Sequence, residues 1–348
     1  MKKANFLIFG AGAIGAYIGG SLALAGNHIV FVEQARAAEE LRVHGLRLDL
    51  SINRNSVYKI QDSSVIFASS LEEALKAGPY DVAIYALKSF DTAGALDEMR
   101  PFSDKLPPLL CLSNGVDNEP AIAAVIGADK VISGTVTSSV GRRAVGDIVL
   151  ERLRGVGVVD RHPLSLFISK TLNEAGLNAR LFSLAGDMKW SKMLTNLPAN
   201  ATAAILNMTA GEVFHHPGLF RLEMRMLRET LRVIRANRFH VVNLPGASVR
   251  ALALGTHLLD IISRPLMLKA IGGGRGSKMP SLHIDLYSGR GKSEVDWLNG
   301  AVVRYGEKVG VPTPVNKLLT ETLLALTKGE LPLDTYAHRP EKLLALIS

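Results

Sequence analysis

An α/β chain is predicted: a Rossmann-like, doubly wound sheet over residues 1–183, followed by an all-α domain over residues 184–348. Three observations lead there. A glycine turn, Gly10-Ala11-Gly12-Ala13-Ile14-Gly15, joins a short apolar strand to an apolar helix. Strand-like and helix-like runs alternate up to about residue 183, which is the pattern of a largely parallel sheet. From about residue 186 the strand signals fade and segments of helical period follow one another.

Asn5-Phe-Leu-Ile-Phe reads as the first strand and Ala16 to Ala25 as the helix. After Gly26, His28-Ile-Val-Phe-Val reads as a second strand that ends at Glu33. Strand, glycine turn, helix, strand and acid in this order form a dinucleotide-binding fingerprint in its required context. Gly10 permits the tight turn, Gly12 lets backbone approach a pyrophosphate, and Gly15 lets helix and strand pack closely. With Ala11, Ala13 and Ile14 they present the unpaired N–H groups of a helix N-terminus to phosphates. Glu33 can accept hydrogen bonds from both adenosine ribose hydroxyls, which favours NAD, and it would repel a 2′-phosphate. Arg36, three residues on, can swing in and admit NADP.

The same segment imitates a secretory signal, with Met1-Lys2-Lys3 ahead of an apolar stretch that ends in Ala23-Leu24-Ala25. Glycines at 10, 12, 15, 19 and 20 weaken a signal helix, and the strand and acid that follow have no role in one. It is also too rich in glycine, and too closely followed by charge, to span a membrane. A cytoplasmic protein is expected.

Residues 36–43 can form a helix, with short β-like runs at 46–50 and 57–60. Residues 81–87 read as a buried strand ending at Lys88, and 108–113 as another ending at Asn114-Gly115. Ligands of doubly wound sheets bind beyond the carboxyl ends of strands, which singles out Lys88 and Asn114. Plain turn residues are the alternative, for Asn114-Gly115 especially. Residues 131–140, 147–151 and 155–160 are β-rich with an antiparallel character, and 164–175 reads as helix.

In the second half, residues 187–206, 219–237, 247–262, 295–309 and 316–328 read as successive helices. Lys192, Asn196 and Asn200 are spaced by four in the first of them, so one ammonium and two amides stack on a single face. Buried unpaired, such groups cost about 1–3 kcal/mol each; a ligand with a carbonyl, hydroxyls or a carboxylate satisfies all three. A solvated polar stripe is the alternative. Pro198 removes a hydrogen bond to the carbonyl of Leu194 and predicts a kink that aims both amides at a shared point. Ser293 is a candidate N-cap with Glu294 in the first turn, a structural role for that acid. Residues 272–281 and 289–293 are basic, glycine-rich loops, and the first is a candidate lid, with plain surface turns as the alternative. A phosphate-binding loop is excluded, because the required glycine five residues before Gly291 is Leu286.

A chain of 348 residues, 47% hydrophobic and 21% charged, accommodates two soluble globular domains. The single cysteine, Cys111, excludes an internal disulfide framework and sits in the apolar run Leu109-Leu-Cys-Leu, where an inert core thiol is expected. Histidines show no metal-ligand spacing, so no metal is expected. A net charge of +8 helps attract anionic cofactors and acids. Basic residues are dispersed without an aromatic-basic module, against nucleic-acid binding.

Taken as an ordered set, five matches resemble the ketopantoate reductase (2-dehydropantoate 2-reductase) family over nearly the whole chain. They are Gly10-Ala-Gly-Ala-Ile-Gly15, Ala86-Leu-Lys88, Ser113-Asn-Gly115, Trp190-Ser-Lys192 with Asn196 and Asn200, and Ser293-Glu-Val-Asp with Leu298-Asn-Gly300. The resemblance implies NADPH-dependent reduction of a small 2-oxo acid, 2-dehydropantoate to D-pantoate. It implies Lys192 as proton donor, Asn196, Asn200 and Ser281 as substrate contacts, and Asn114 as the residue facing nicotinamide and substrate. It also implies Glu294 as an acid beside the cofactor and Lys88 as the strand-end lysine. A homodimer is compatible with it. The chain departs from the family pattern in four places. Ala210 stands where a third substrate asparagine is expected, and Gln34 where an arginine meets the 2′-phosphate. Lys278 stands in place of an asparagine, and the loop between Ser281 and Glu294 is one residue longer. The nearest alternatives are a β-hydroxyacid or glycerol-phosphate type dehydrogenase, or a non-catalytic dinucleotide-sensing protein.

Overall fold

A computed structural model describes residues 3–268 and 278–347. The chain forms two compact units, Met1–Met188 with Leu244–Ala247, and Lys189–Asn243 with Ser248–Ser348.

The first unit is built on an eight-stranded sheet in the order β12-β11-β8-β7-β6-β1-β2-β5. Its strands are β1 (Asn5–Phe9), β2 (His28–Val32), β5 (Val65–Ala68), β6 (Val82–Tyr85), β7 (Leu109–Cys111), β8 (Val131–Val136), β11 (Val156–Val159) and β12 (Ala179–Phe182). Neighbours pair in parallel except β8 with β11. Strand order reverses between β1 and β6, so the chain ends after these two strands border the switch point where α/β sheets take ligands.

A smaller sheet, β4-β3-β10-β9, has no counterpart in the sequence reading as a separate layer. It comprises β3 (Leu46–Asp49), β4 (Val57–Ile60), β9 (Ser139–Ala144) and β10 (Asp147–Arg152). Residues 131–140, expected as one β-rich run, divide between β8 in the large sheet and β9 in the small one. Helix α1 (Ala13–Leu24) touches both sheets, which is why it is apolar all round. Gly19 sits against Phe31 and Ile8 of the large sheet, and Gly20 against Leu48 of the small one. A Cβ on Gly19 would approach Phe31 to 2.4 Å, and one on Gly20 would approach Leu48 to 2.6 Å. The remaining helices here are α2 (Ala35–His44), α3 (Ser51–Arg54), α4 (Leu71–Lys76), α5 (Thr92–Met99), α6 (Asn118–Ile126) and α7 (Ser165–Glu174). Leu244–Ala247 joins this unit because Thr137 donates to the carbonyl of Pro245 (2.8 Å) and Gly246 lies on Arg154.

The second unit is helical. It contains α8 (Ala185–Asn196, entering from the first unit), α9 (Asn200–Leu206), α10 (Ala210–His215), α11 (Pro217–Ala236), α12 (Val249–Gly255) and α13 (Asp260–Met267). After the undescribed segment come α14 (Ser281–Tyr287), α15 (Asn299–Lys308), α16 (Pro314–Lys328) and α17 (Pro340–Leu344). Three expected helices are divided. Residues 247–262 form α12 and the start of α13, and 295–309 open with a 3-10 turn, Glu294–Trp297, before α15. The kink expected at Pro198 is a full break between α8 and α9, with Ala199 in the left-handed region at φ 53°. The stacking of Lys192, Asn196 and Asn200 on one continuous helix face is therefore corrected: only Lys192 and Asn196 share a helix. A proline that deprives Leu194 of its partner lets the chain turn, and burial of the new turn fixes it. Most of the candidate lid, residues 272–277, lies outside the described residues.

Candidate active site

In the first unit the glycine turn has the geometry its spacing implies. Gly10 adopts φ 90°, and a Cβ on Gly15 would lie 1.9 Å from the Gly10 carbonyl oxygen, so strand and helix close on each other there. A Cβ on Gly12 would meet nothing within 4 Å. Gly12 is the N-cap of α1 and has no side chain to cap it, so the first N–H groups, those of Ala13, Ile14 and Gly15, have no partner within the helix. That cradle fits a pyrophosphate. Glu33, one residue past β2, folds back onto the turn: its carboxylate accepts from Ala11 N (2.7 Å) and from Gln34 N (3.0 Å). Arg36 lies exposed in the first turn of α2.

The chain ends after β6 and β7 are braced together. Ser113 Oγ donates to the carbonyl of Leu87 (2.8 Å), and Ser89 Oγ donates to the carbonyl of Asn114 (2.9 Å). Asn118 Nδ2 donates to that same carbonyl (2.6 Å) and to Ser89 Oγ (3.1 Å), while its Oδ1 accepts from Thr92 (2.8 Å). Asn118, Ser89 and Thr92 are all buried. The network sets the backbone on either side of Lys88 and Asn114, the two strand-end residues singled out in the sequence. Asn118, Ser89 and Thr92 were not. A polar residue in the first turn of an otherwise apolar helix was the available signal.

In the second unit Lys192 and Asn196 lie one turn apart near the end of α8, both half-buried. Asn200 opens α9 and is 4% exposed. Its Nδ2 donates to the carbonyl of Asn196 (3.0 Å) and to Ser281 Oγ (3.2 Å), and its Oδ1 accepts from Leu282 N (3.0 Å). Asn200 thus fastens the start of α14, with Ser281 as its first residue, to the end of α8. Both amide hydrogens of its side chain are used inside the protein. Glu294 is buried, following the Ser293 cap as expected; Ser293 Oγ accepts from Val295 N (3.3 Å). Gly300 has a local reason: a Cβ there would lie 2.4 Å from Asp296 Oδ1, which pairs with Arg304 at 2.8 Å. Asn299 donates to Asn316 (3.1 Å), and Asn316 donates to Glu229 (2.8 Å).

A model of the ketopantoate reductase PanE/ApbA family matches residues 6–160, and the model of that family's C-terminal part matches residues 186–327. The chain belongs to the ketopantoate reductase family. It is 24% identical over 321 residues to the 2-dehydropantoate 2-reductase of Pyrococcus horikoshii, covering 90% of this chain and 94% of that one. It is 26% identical over 333 residues to that of Archaeoglobus fulgidus, covering 94% and 98%. Among solved structures it is similar to a ketopantoate reductase from Ralstonia eutropha JMP134, with a TM-score of 0.78 at 22% identity over 94% of this chain and 99% of that one. It is also similar to D-mandelate dehydrogenase in ternary complex with NADH and anilino(oxo)acetate, with a TM-score of 0.75 at 21% identity over 93% and 98%. These structural likenesses speak to the fold.

As a ketopantoate reductase family member, the chain is an oxidoreductase that uses a nicotinamide dinucleotide. The family departures also have places in the structure. Ala210 is the buried first residue of α10, behind the cap formed by Thr209 with Glu212. Close by in sequence, Asn207 Oδ1 is 2.7 Å from His283 Nε2 of α14. Gln34 is exposed as the N-cap of α2. Lys278 is exposed and precedes α14 by three residues. Sequence reasoning also missed Glu223 of α11, whose carboxylate receives Ala199 N (2.7 Å) and the Thr202 hydroxyl at the α8–α9 break. Its signal was present: Glu223 lies four residues after Leu219 and four before Leu227, on the apolar face of α11.

Proposed function

We propose that this protein reduces 2-dehydropantoate to D-pantoate, with Lys192 as the proton donor. The observation that carries the reading is the pairing of Lys192 with Asn196 on one turn of α8, half-buried, in a chain of the ketopantoate reductase family. Bound nicotinamide supplies the hydride. An ammonium at the substrate carbonyl oxygen polarises it and stabilises the alkoxide that forms as its carbon is reduced. Lys192 Nζ then gives its proton to that oxygen, yielding the 2-hydroxy acid, and regains one from solvent. The Asn196 side chain and the Ser281 hydroxyl hold substrate oxygens. Asn200 shapes this set through its bonds to both segments. Lys88 and Asn114, beyond strand ends of the first unit, and Glu294, a buried acid of the second, are the further residues that the family resemblance assigns to cofactor and substrate.

We further propose that NADH is preferred to NADPH. Glu33 is held at the glycine turn by Ala11 N and Gln34 N, just past the second strand, where the acid of a dinucleotide-binding fold meets the adenosine ribose. A carboxylate so fixed accepts ribose hydroxyls and repels a 2′-phosphate. Gln34 offers no compensating cation, and Arg36, the candidate to supply one, lies exposed in the first turn of α2.

Initial rates of NADH and, separately, NADPH oxidation with purified protein and 2-dehydropantoate test both statements. Turnover with a higher kcat/KM for NADH is expected. Turnover only with other 2-oxo acids would refute the substrate, and a preference for NADPH would refute the role given to Glu33. No turnover with any 2-oxo acid, alongside retained dinucleotide binding, would favour a sensing protein.

A further inference from the structure

Glu223 is a carboxylate with 0% exposure in the middle of α11, and the proton-transfer chemistry makes no use of it. A buried charge costs several kcal/mol unless it is well bonded. An apolar side chain at this place in the helix would avoid that cost, so the acid calls for an explanation. Its two oxygens accept from Ala199 N (2.7 Å) and from the hydroxyl of Thr202, itself fully buried. Ala199 is the pivot of the α8–α9 break. It lies between Asn196, the last residue of α8, and Asn200, the first of α9. Its left-handed φ of 53° is a conformation that costs a non-glycine residue about 1–2 kcal/mol. Breaking the helix also takes the Ala199 N–H out of a regular ladder, and Glu223 supplies the acceptor.

The orientation of Asn200 depends on that break. On a continuous helix its amide would stack over Asn196. Beyond the break it reaches across to α14 instead, bonding Ser281 Oγ and Leu282 N. We propose that Glu223 is a positioning residue for substrate: by holding Ala199 left-handed it sets the distance and angle between Asn196 and the Asn200–Ser281 clasp. The inference rests on the assignment of 2-dehydropantoate to this site. It predicts that loss of the Glu223 acceptor acts on substrate affinity and leaves unaffected the dinucleotide, whose proposed contacts at the glycine turn and Glu33 do not involve the break.

The test compares Glu223→Met with Glu223→Gln. Glutamine can accept from Ala199 N and donate to Thr202 Oγ, whereas methionine can do neither. Glu223→Met should raise KM for 2-dehydropantoate at least tenfold with the NADH Kd unchanged, and Glu223→Gln should restore KM to within a few-fold of wild type. A folded methionine variant with wild-type KM overturns the proposal, as does an equal loss of NADH affinity. If the methionine variant does not fold, Thr202→Val removes the hydroxyl donor to Glu223 and should raise KM about threefold; an unchanged KM overturns the proposal. Amide hydrogen exchange at Leu282, whose N–H is bonded to Asn200, provides a readout free of turnover. Exchange there should quicken in Glu223→Met or, where that does not fold, in Thr202→Val, with the N–H groups of α16 unaffected, and an unchanged rate overturns the proposal. If wild type fails to reduce 2-dehydropantoate, the substrate assignment falls while the exchange measurement still decides the role of Glu223.

Discussion

At the scale of a single residue, the proposed role of Lys192 as proton donor makes a direct prediction. Lys192→Ala should lower kcat at least tenfold, about 1.4 kcal/mol of transition-state stabilisation, with the thermal transition and NADH affinity retained. Unchanged turnover would remove Lys192 from the mechanism. Glu33 is the second residue with a testable part. Glu33→Ala, alone or with Gln34→Arg, should narrow or reverse the ratio of NADH to NADPH affinity measured by fluorescence titration. Because Glu33 also accepts from Ala11 N, affinity for both dinucleotides is expected to fall as their ratio shifts. A fixed ratio would show that another group reads the ribose. Both residues were legible in the sequence, since each stands at a fixed offset from a glycine turn or a helical pattern. Asn200 was legible as a polar residue in an apolar stretch but not in its geometry: its amide hydrogens go to Asn196 and Ser281.

At the scale of elements, the glycine turn and the α8–α9 break show the two ways local sequence specifies structure. The turn needs no distant partner. Gly12 and Gly15 differ in what surrounds them, so equal substitutions should have opposite effects. Gly15→Ala places a Cβ 1.9 Å from a backbone oxygen and should cost at least about 2 kcal/mol of stability, read from urea unfolding. Gly12→Ala meets open space and should leave stability within about 0.5 kcal/mol while weakening dinucleotide binding at least tenfold. A stable Gly15→Ala variant, or unimpaired binding by Gly12→Ala, would contradict the packing and cradle roles respectively. The break is different. Pro198 signals that α8 cannot continue unchanged, but a kinked helix and two separate helices both satisfy that signal. The choice is made by Glu223 of α11 and by the start of α14, elements that the chain reaches only later. The brace around Lys88 and Asn114 is of the same kind, since Asn118 comes from the next helix to supply it.

At the scale of the whole molecule, the chain builds a dinucleotide fold and a helical fold as separate compact units, which suggests a thermodynamic test. A ligand that binds the folded first unit stabilises it by about 2.7 kcal/mol at a hundred times its Kd. NADH should therefore raise the unfolding midpoint of the transition that reports the parallel sheet, followed by far-UV circular dichroism. The 2-oxo acid alone, which in the proposed function is held by Lys192 and Asn196 of the second unit, should move that transition less than NADH does. An equal shift with the acid alone would contradict this division of labour.

The sequence by itself determined the α/β-then-helical order, the dinucleotide turn with its acid, the strand-end residues Lys88 and Asn114, and the lysine–asparagine pair on α8. These rest on contiguous residues, whose spacing sets φ/ψ, periodicity and capping without reference to distant chain. Only the tertiary structure decided that β8 and β9 part into different sheets, that α1 is packed on both sides, and that Asn200 binds α14. It also decided that Glu223 secures the break. The contacts responsible join residues 24 apart for Ala199 and Glu223, and 81 apart for Asn200 and Ser281. At such separations sequence spacing carries no information about direction, and the outcome is settled by which buried donors must find acceptors once the core has closed.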